Sequence, residues 1–178
     1  RFSNSGQSCI AAKRIIVHES RWYEIQLALE NRLKQLKWGD PLEMDTQLGP
    51  LVSEEAAEQL DKQYQRGLQQ GAEILIPLQR SGALCTPAAV YLKEPTNVLW
   101  QEETFGPLAV FMTYDKPKKA LQLRAHEHYA LGTCIYTAHQ EQWMKKSHLI
   151  HEPMIVFNNI VKSSPHLPFG GLKKSGFG

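Results

Sequence analysis

The chain has 178 residues, 42% hydrophobic and 21% charged, with a formal net charge of +2. That is ordinary globular composition, and it is enough sequence for one domain with a sizeable core. Lys and Arg are scattered among Asp and Glu, which argues against nucleic acid or an anionic membrane as partner, and no apolar run reaches bilayer-spanning length. The first residues carry neither the basic start nor the apolar centre of a signal peptide, so a cytoplasmic location is expected. Cys9, Cys85 and Cys134 are odd in number, widely spaced and without a CxxC pair; free thiols fit better than a disulfide framework, and no metal site is expected. The chain opens at Arg1 without a methionine and stops inside the glycine-rich "KKSGFG", which predicts truncation at both ends.

In chain order, "RIIVHE" reads as a strand and "SRWYEIQLALENRLKQLKWG" as a helix. The helix has Ser20 as N-cap, Trp22, Ile25, Leu29, Leu33 and Leu36 on one face, and Gly39 beyond its end. "SEEAAEQLDKQYQRGLQQG" repeats the design, with Ser53 leading, Ala57, Leu60, Tyr64 and Leu68 on one stripe, and Gly71 before the strand-like "AEILIPL". The stretch from about Pro77 to Gln101 reads as irregular. Then follow a strand "PLAVFMTY", a helix "KPKKALQLRAHEH" with Pro117 in its first turn, a strand "GTCIYT", a helix "HQEQWMKKSHLI" and a strand "MIVFNN". This alternation predicts an α/β fold of three αβα layers, a largely parallel sheet covered by helices on both faces.

Three stretches carry candidate chemistry. In "NSGQSC", Cys9 beside Ile10, Ala11 and Ala12 is either a buried small hydrophobe or a nucleophile. The second reading draws on Gly6, which allows close backbone approach, and on a predicted helix start at "CIAAK", where unpaired amides with Lys13 or Arg14 would favour the thiolate. Cys134, in the middle of an apolar strand, is expected to be buried, and Cys85 to be structural or incidental. In "QEETFGP", Glu102 and Glu103 precede an aromatic and a Gly-Pro turn, which suits either a solvated loop or a carboxylate gripping hydroxyls beside an aromatic wall. In "PFGGLKKSGFG", Ser175 precedes Gly176, so the run is no Walker loop, and no GxGxxG follows a strand.

Taken together, "FSNSGQSC", "QEETFGP" and "PFGGLKKSGFG", in this order and with "GDPLEMDTQLGPLVSEEAAEQL" between the first two, resemble the NAD(P)-dependent aldehyde dehydrogenase superfamily over essentially the whole chain. The resemblance implies a catalytic domain, residues 1–178, separated from the dinucleotide-binding domain that precedes it in the family. It makes Cys9 the nucleophile that forms a thioester, with its backbone N–H as half of an oxyanion hole. Glu103 is implied to hold the nicotinamide ribose of NAD or NADP, Phe105 to lie beside the nicotinamide ring, and Phe169 to wall the aldehyde tunnel. Asn4 and Gln7 are expected to be structural. The family's glutamate base and oxyanion asparagine lie upstream of the nucleophile, so the isolated chain is expected to be inactive, although the parent protein would be a homo-oligomeric enzyme acting on a small aldehyde. The wording of "AAKRIIVHES", "GDPLEMDTQLGPL" and "VKSSPHLPFGGLKKSGFG" looks most like the succinate-semialdehyde dehydrogenase branch, where a serine before "PFGG" helps hold the distal carboxylate; Ser163 or Ser164 matches it. Many members of that branch carry an arginine where Ser3 stands, a departure that weakens the substrate assignment. Two alternative classes are a thiol hydrolase, faintly suggested by "GQSC" but without its further motifs, and a non-catalytic interaction module that retains the fold.

Overall fold

The computed structural model describes residues 1–125 and 128–177. The chain forms two compact units, Arg1–Ala120 and Leu121–Gly178.

The first unit contains β1 (Arg14–His18), α1 (Glu19–Gln35), α2 (Glu54–Gln69), β2 (Glu73–Ile76), a small β3 and β4 hairpin (Arg80–Ser81 and Leu84–Cys85), β5 (Ala88–Tyr91), α3 (Val98–Gln101) and β6 (Leu108–Tyr114). Its four-stranded sheet runs β1-β6-β5-β2, parallel from β1 through β5, with β2 antiparallel at the edge. Residues 108 to 112 of β6 are almost fully buried on both faces, as expected of a central parallel strand covered on each side. One face carries Ile15, Phe111 and Tyr91, against which Trp22 and Leu29 of α1 pack. The Trp22 ring lies 5.1 Å from Tyr91 and 5.6 Å from Phe111. On the other face, Arg14, in register with Val110, lies 5.6 Å from the Trp100 ring of α3. Gly67 lets α2 close on α3: a Cβ there would collide with Leu99. The predicted three layers are therefore present within this unit.

Local capping differs in one place from the sequence reading. α2 is capped by Ser53, whose hydroxyl accepts from the Ala56 N–H at 3.2 Å, but α1 is capped by His18 and not Ser20: the imidazole Nδ1 accepts from the Ser20 N–H at 3.2 Å. An imidazole nitrogen in the extended residue before the helix reaches the same orphan amide that a hydroxyl would. The stretch from Pro77 to Gln101 is also not irregular. It contains β5, a central strand whose Ala88, Ala89 and Val90 are fully buried. Because both faces of β5 are covered and two of its residues are alanine, it shows no polar alternation to read.

The boundary between the units falls in α4 (Pro117–Arg124), which begins at the predicted proline. His126 and Glu127, at the far end of that helix reading, lie outside the described residues. The second unit has β7 (Tyr129–Ala130), β8 (Gly132–Ile135), α5 (Gln140–Met144), β9 (Met154–Phe157) and β10 (Leu172–Lys173). β8 and β9 pair in parallel across α5, a βαβ crossover, while β10 and β7 pair antiparallel. Asn158 closes the ends of β8 and β9: its amide donates to the Thr137 carbonyl at 3.0 Å and its carbonyl accepts from the Thr137 N–H at 2.8 Å. Arg124 pairs with Glu152 in a largely buried ion pair. Cys134 sits in β8 as predicted, but it is half-buried and not enclosed, since a two-stranded sheet covers little of it. Among the described residues no helix is long and apolar enough to cross a membrane, and no cluster of metal-ligating side chains occurs.

Candidate active site

The loop before Cys9 takes an unusual path. Asn4 and Ser5 both adopt left-handed backbone (φ 50 and 53), followed by Gly6 at φ 73. Two non-glycine residues in that region are unfavourable and need surrounding structure to hold them. The surroundings are the segment from Gly49 to Val52. Ser5 Oγ donates to the Gly49 carbonyl at 2.7 Å, and the Gln7 side chain accepts from the Val52 N–H at 2.7 Å. At Gly6 the backbone meets the carbonyl of Gly106, and a Cβ would collide with it. Gly106 in turn rests on Leu60 of α2. The "NSGQSC" and "ETFGP" stretches, about a hundred residues apart, are thus in backbone contact.

Arg1 ties the same two stretches from the side. Its buried guanidinium donates to the carbonyls of Leu108 (2.7 Å), Thr104 (3.0 Å) and Gly106 (2.6 Å) and to the Thr104 hydroxyl (3.2 Å). Burial pushes Arg1 down to about 10, an effect that Glu103 opposes.

Cys9 is solvent-exposed. It does not start a helix, contrary to the sequence expectation. It sits in a turn closed by the Ala11 N–H donating to the Ser8 carbonyl at 3.1 Å, after which the chain enters β1. A nearby positive charge is the side chain of Lys13. Its ammonium donates to the carbonyls of Ser8 (2.7 Å) and Ala11 (3.2 Å), stands 3.7 Å from a Glu103 carboxylate oxygen and lies 4.5 Å from the centre of the Phe105 ring. Burial pushes Lys13 down to about 8; Arg1 adds to the fall, while Glu103 and Cys9 oppose it. Among the described residues, the Cys9 N–H donates to no protein acceptor.

The two adjacent carboxylates part company. Glu102 is gripped by Arg66 of α2 (2.9 and 3.2 Å) and by the Gln63 amide (3.1 Å), and so serves to anchor the loop. Glu103 turns to Lys13. The remaining candidates belong to the second unit. Ser164 and Phe169 line a cleft of about 520 Å³, together with Lys162, Ile155, Val156 and Leu167; Ser163 is exposed and does not line it. Gly171 there packs on the Ser175 backbone, where a Cβ would collide.

Residues 1–178 match the aldehyde dehydrogenase family from end to end. The chain belongs to that family. It is 34% identical over 181 aligned residues to the NADP-dependent succinate-semialdehyde dehydrogenase of Deinococcus radiodurans, covering all of this chain and 38% of that protein. Aldehyde dehydrogenase 21 of Physcomitrella patens, solved with the product succinate, superposes with a TM-score of 0.92 at 30% identity, over 99% of this chain and 37% of its own. Succinic semialdehyde dehydrogenase of Streptococcus pyogenes, solved with NADP+, gives 0.91 at 30% identity over 99% and 40%. The chain thus spans about two fifths of the length of these relatives.

Glu103 offers an accessible carboxylate to hydroxyls, and Phe105 an exposed ring face beside it. Sequence reasoning noted Lys13 only as a cation near Cys9. Its contacts with Glu103 and Phe105 span some ninety positions and left no spacing signal. Arg1, Gln63 and Leu60 were missed as supports for the same reason.

Proposed function

We propose that this chain is the catalytic domain, residues 1–178, of an NAD(P)-dependent aldehyde dehydrogenase whose dinucleotide-binding domain precedes it in the parent protein, with Cys9 as nucleophile. The observation that carries this reading is the cluster of Cys9, Lys13, Glu103 and Phe105 on one backbone junction, with the thiol open to solvent. The Cys9 thiolate adds to the aldehyde carbon, and the C–S bond formed leaves an oxyanion to which the Cys9 N–H donates. Bound NAD or NADP supplies the hydride acceptor. Glu103 would hold the ribose of that cofactor and Phe105 would lie beside its ring. Loss of hydride leaves a thioester on Cys9, and water then releases the carboxylic acid and restores the thiol.

Succinate semialdehyde is the substrate this reading favours. Support comes from the relatives named above and from the match of Ser163 or Ser164 to the serine before "PFGG" in that branch; within the second unit, Ser164, Lys162 and Phe169 line a cleft whose hydroxyl and cation suit a carboxylate. Ser163, exposed and outside that cleft, is the weaker of the two serines. The same reading makes the parent protein a cytoplasmic homo-oligomer, to be checked by fractionation and by size in solution.

The test is aldehyde-dependent reduction of NAD+ and NADP+ by the parent protein, read from the absorbance of the reduced nicotinamide. Turnover with succinate semialdehyde is expected, and Cys9→Ser should abolish it while cofactor binding persists. Turnover retained by Cys9→Ser would remove the nucleophile assignment, and indifference to the distal carboxylate would remove the substrate.

A further inference from the structure

This inference rests on the reading of Glu103 and Phe105 as the residues that meet the nicotinamide end. Four contacts converge on the Lys13 ammonium. Two backbone carbonyls on either side of the Cys9 turn, those of Ser8 and Ala11, fix where it sits. The Glu103 carboxylate lies 3.7 Å away, and the Phe105 ring centre 4.5 Å away. The Lys13 side chain is only 16% exposed, against 36% for Glu103. An ammonium this deep is unfavourable unless carbonyls, a carboxylate and a ring face compensate it together, and here all three do. Among the described residues, Lys13 is also the ion-pair partner of Glu103. Arg1 meanwhile holds the backbone on either side of Phe105 through the carbonyls of Thr104 and Gly106, which leaves the two side chains to be set by Lys13.

We propose that Lys13 is a positioning residue that couples the turn bearing Cys9 to Glu103 and Phe105, so that the nucleophile and the groups gripping the nicotinamide end share one geometry. Its carbonyl contacts report the position of the Cys9 turn, and its charge transmits that position to the carboxylate and the ring. Lys13 touches neither substrate nor reacting atoms in this account. It acts through the residues that do.

Lys13→Met in the parent enzyme keeps the chain length and removes the charge. We expect kcat to fall about tenfold while the cofactor Kd and the aldehyde KM stay within about twofold, because a misplaced hydride acceptor slows one step and leaves binding intact. A primary isotope effect with deuterated aldehyde should rise in the same variant. Lys13→Arg, which retains the charge, should recover most of the loss. Combined with Glu103→Gln, Lys13→Met should cost little beyond the worse single variant, since both break the same link. A wild-type kcat in Lys13→Met, or simple additivity with Glu103→Gln, would overturn the proposal.

A second measurement needs no turnover. With its lysines carrying carbon-13 methyl labels, this chain should show the Lys13 resonance titrating at about 8, and lower still in Glu103→Gln, which removes the carboxylate that opposes the fall. A Lys13 resonance indifferent to Glu103→Gln overturns the coupling whatever the enzyme does. If the wild-type parent reduces no cofactor with any aldehyde, the family reaction is the reading that fails, and the resonance alone decides the Lys13 pairing.

Discussion

Lys13 makes the stability of the first unit depend on pH. In the unfolded chain it holds its proton up to the ordinary value of 10.5, whereas in the folded protein burial releases it at about 8. Between those values the unfolded state binds more protons, so folding stability rises with pH across that window, and below it the full cost of a buried ammonium applies. The groups facing Lys13 are Arg1, Glu103 and Cys9; Arg1, pushed down to about 10, enters only at the top of the window. Lys13→Met should therefore lose ground against the wild type as pH rises, with the stability difference measured by urea unfolding at about pH 7 and about pH 10. A difference independent of pH would contradict the buried position of the ammonium. The cysteines make a second prediction at this scale. Cys9 is exposed, Cys134 half-buried and Cys85 buried, with burial pushing the Cys85 thiol up to about 11. Brief iodoacetamide labelling followed by peptide mapping should modify them in that order, and Cys134 reacting as fast as Cys9 would break it.

At the scale of elements, α2 supports the site from beneath. Leu60 is 1% exposed and its methyls lie under Gly106, the residue whose carbonyl meets Gly6. Truncating it opens a cavity under the junction of both site loops. Leu60→Ala should cost about 2–5 kcal/mol, the usual range for a buried leucine, read as a lower urea midpoint with an unchanged slope. A loss well under that range would mean that the loops settle onto α2 and do not depend on its packing. The elements also show how much was legible. Amphipathic helices such as α2, with its serine cap and stripe of Ala57, Leu60 and Tyr64, were readable because their period is local. β5 was not, because a short alanine-rich strand buried on both faces carries no period at all. The helix expected at Cys9 failed for a related reason: the left-handed backbone at Asn4 and Ser5 is imposed by Gly49 and Val52, not by propensity.

At the scale of the whole molecule, the chain spans 38% of its Deinococcus relative, and in the proposed function Glu103 and Phe105 meet only the nicotinamide end of the cofactor. This chain by itself should therefore give no measurable aldehyde-dependent reduction of NAD+ or NADP+, since the proposal leaves the pyrophosphate to a preceding domain. Robust turnover by the isolated chain would overturn the proposed division of labour with a preceding domain. What the sequence by itself determined was the family, the α/β alternation and the identity of the chemical groups, because those depend on residue types in order along the chain. Only the tertiary structure decided which groups act together. The same stretch presents two carboxylates, and packing sends Glu102 to Arg66 on α2 and Glu103 to Lys13 beside the Cys9 turn. Contacts between residues so far apart are paid for by the core that brings them close, and residue order alone does not encode which neighbour a charge will meet.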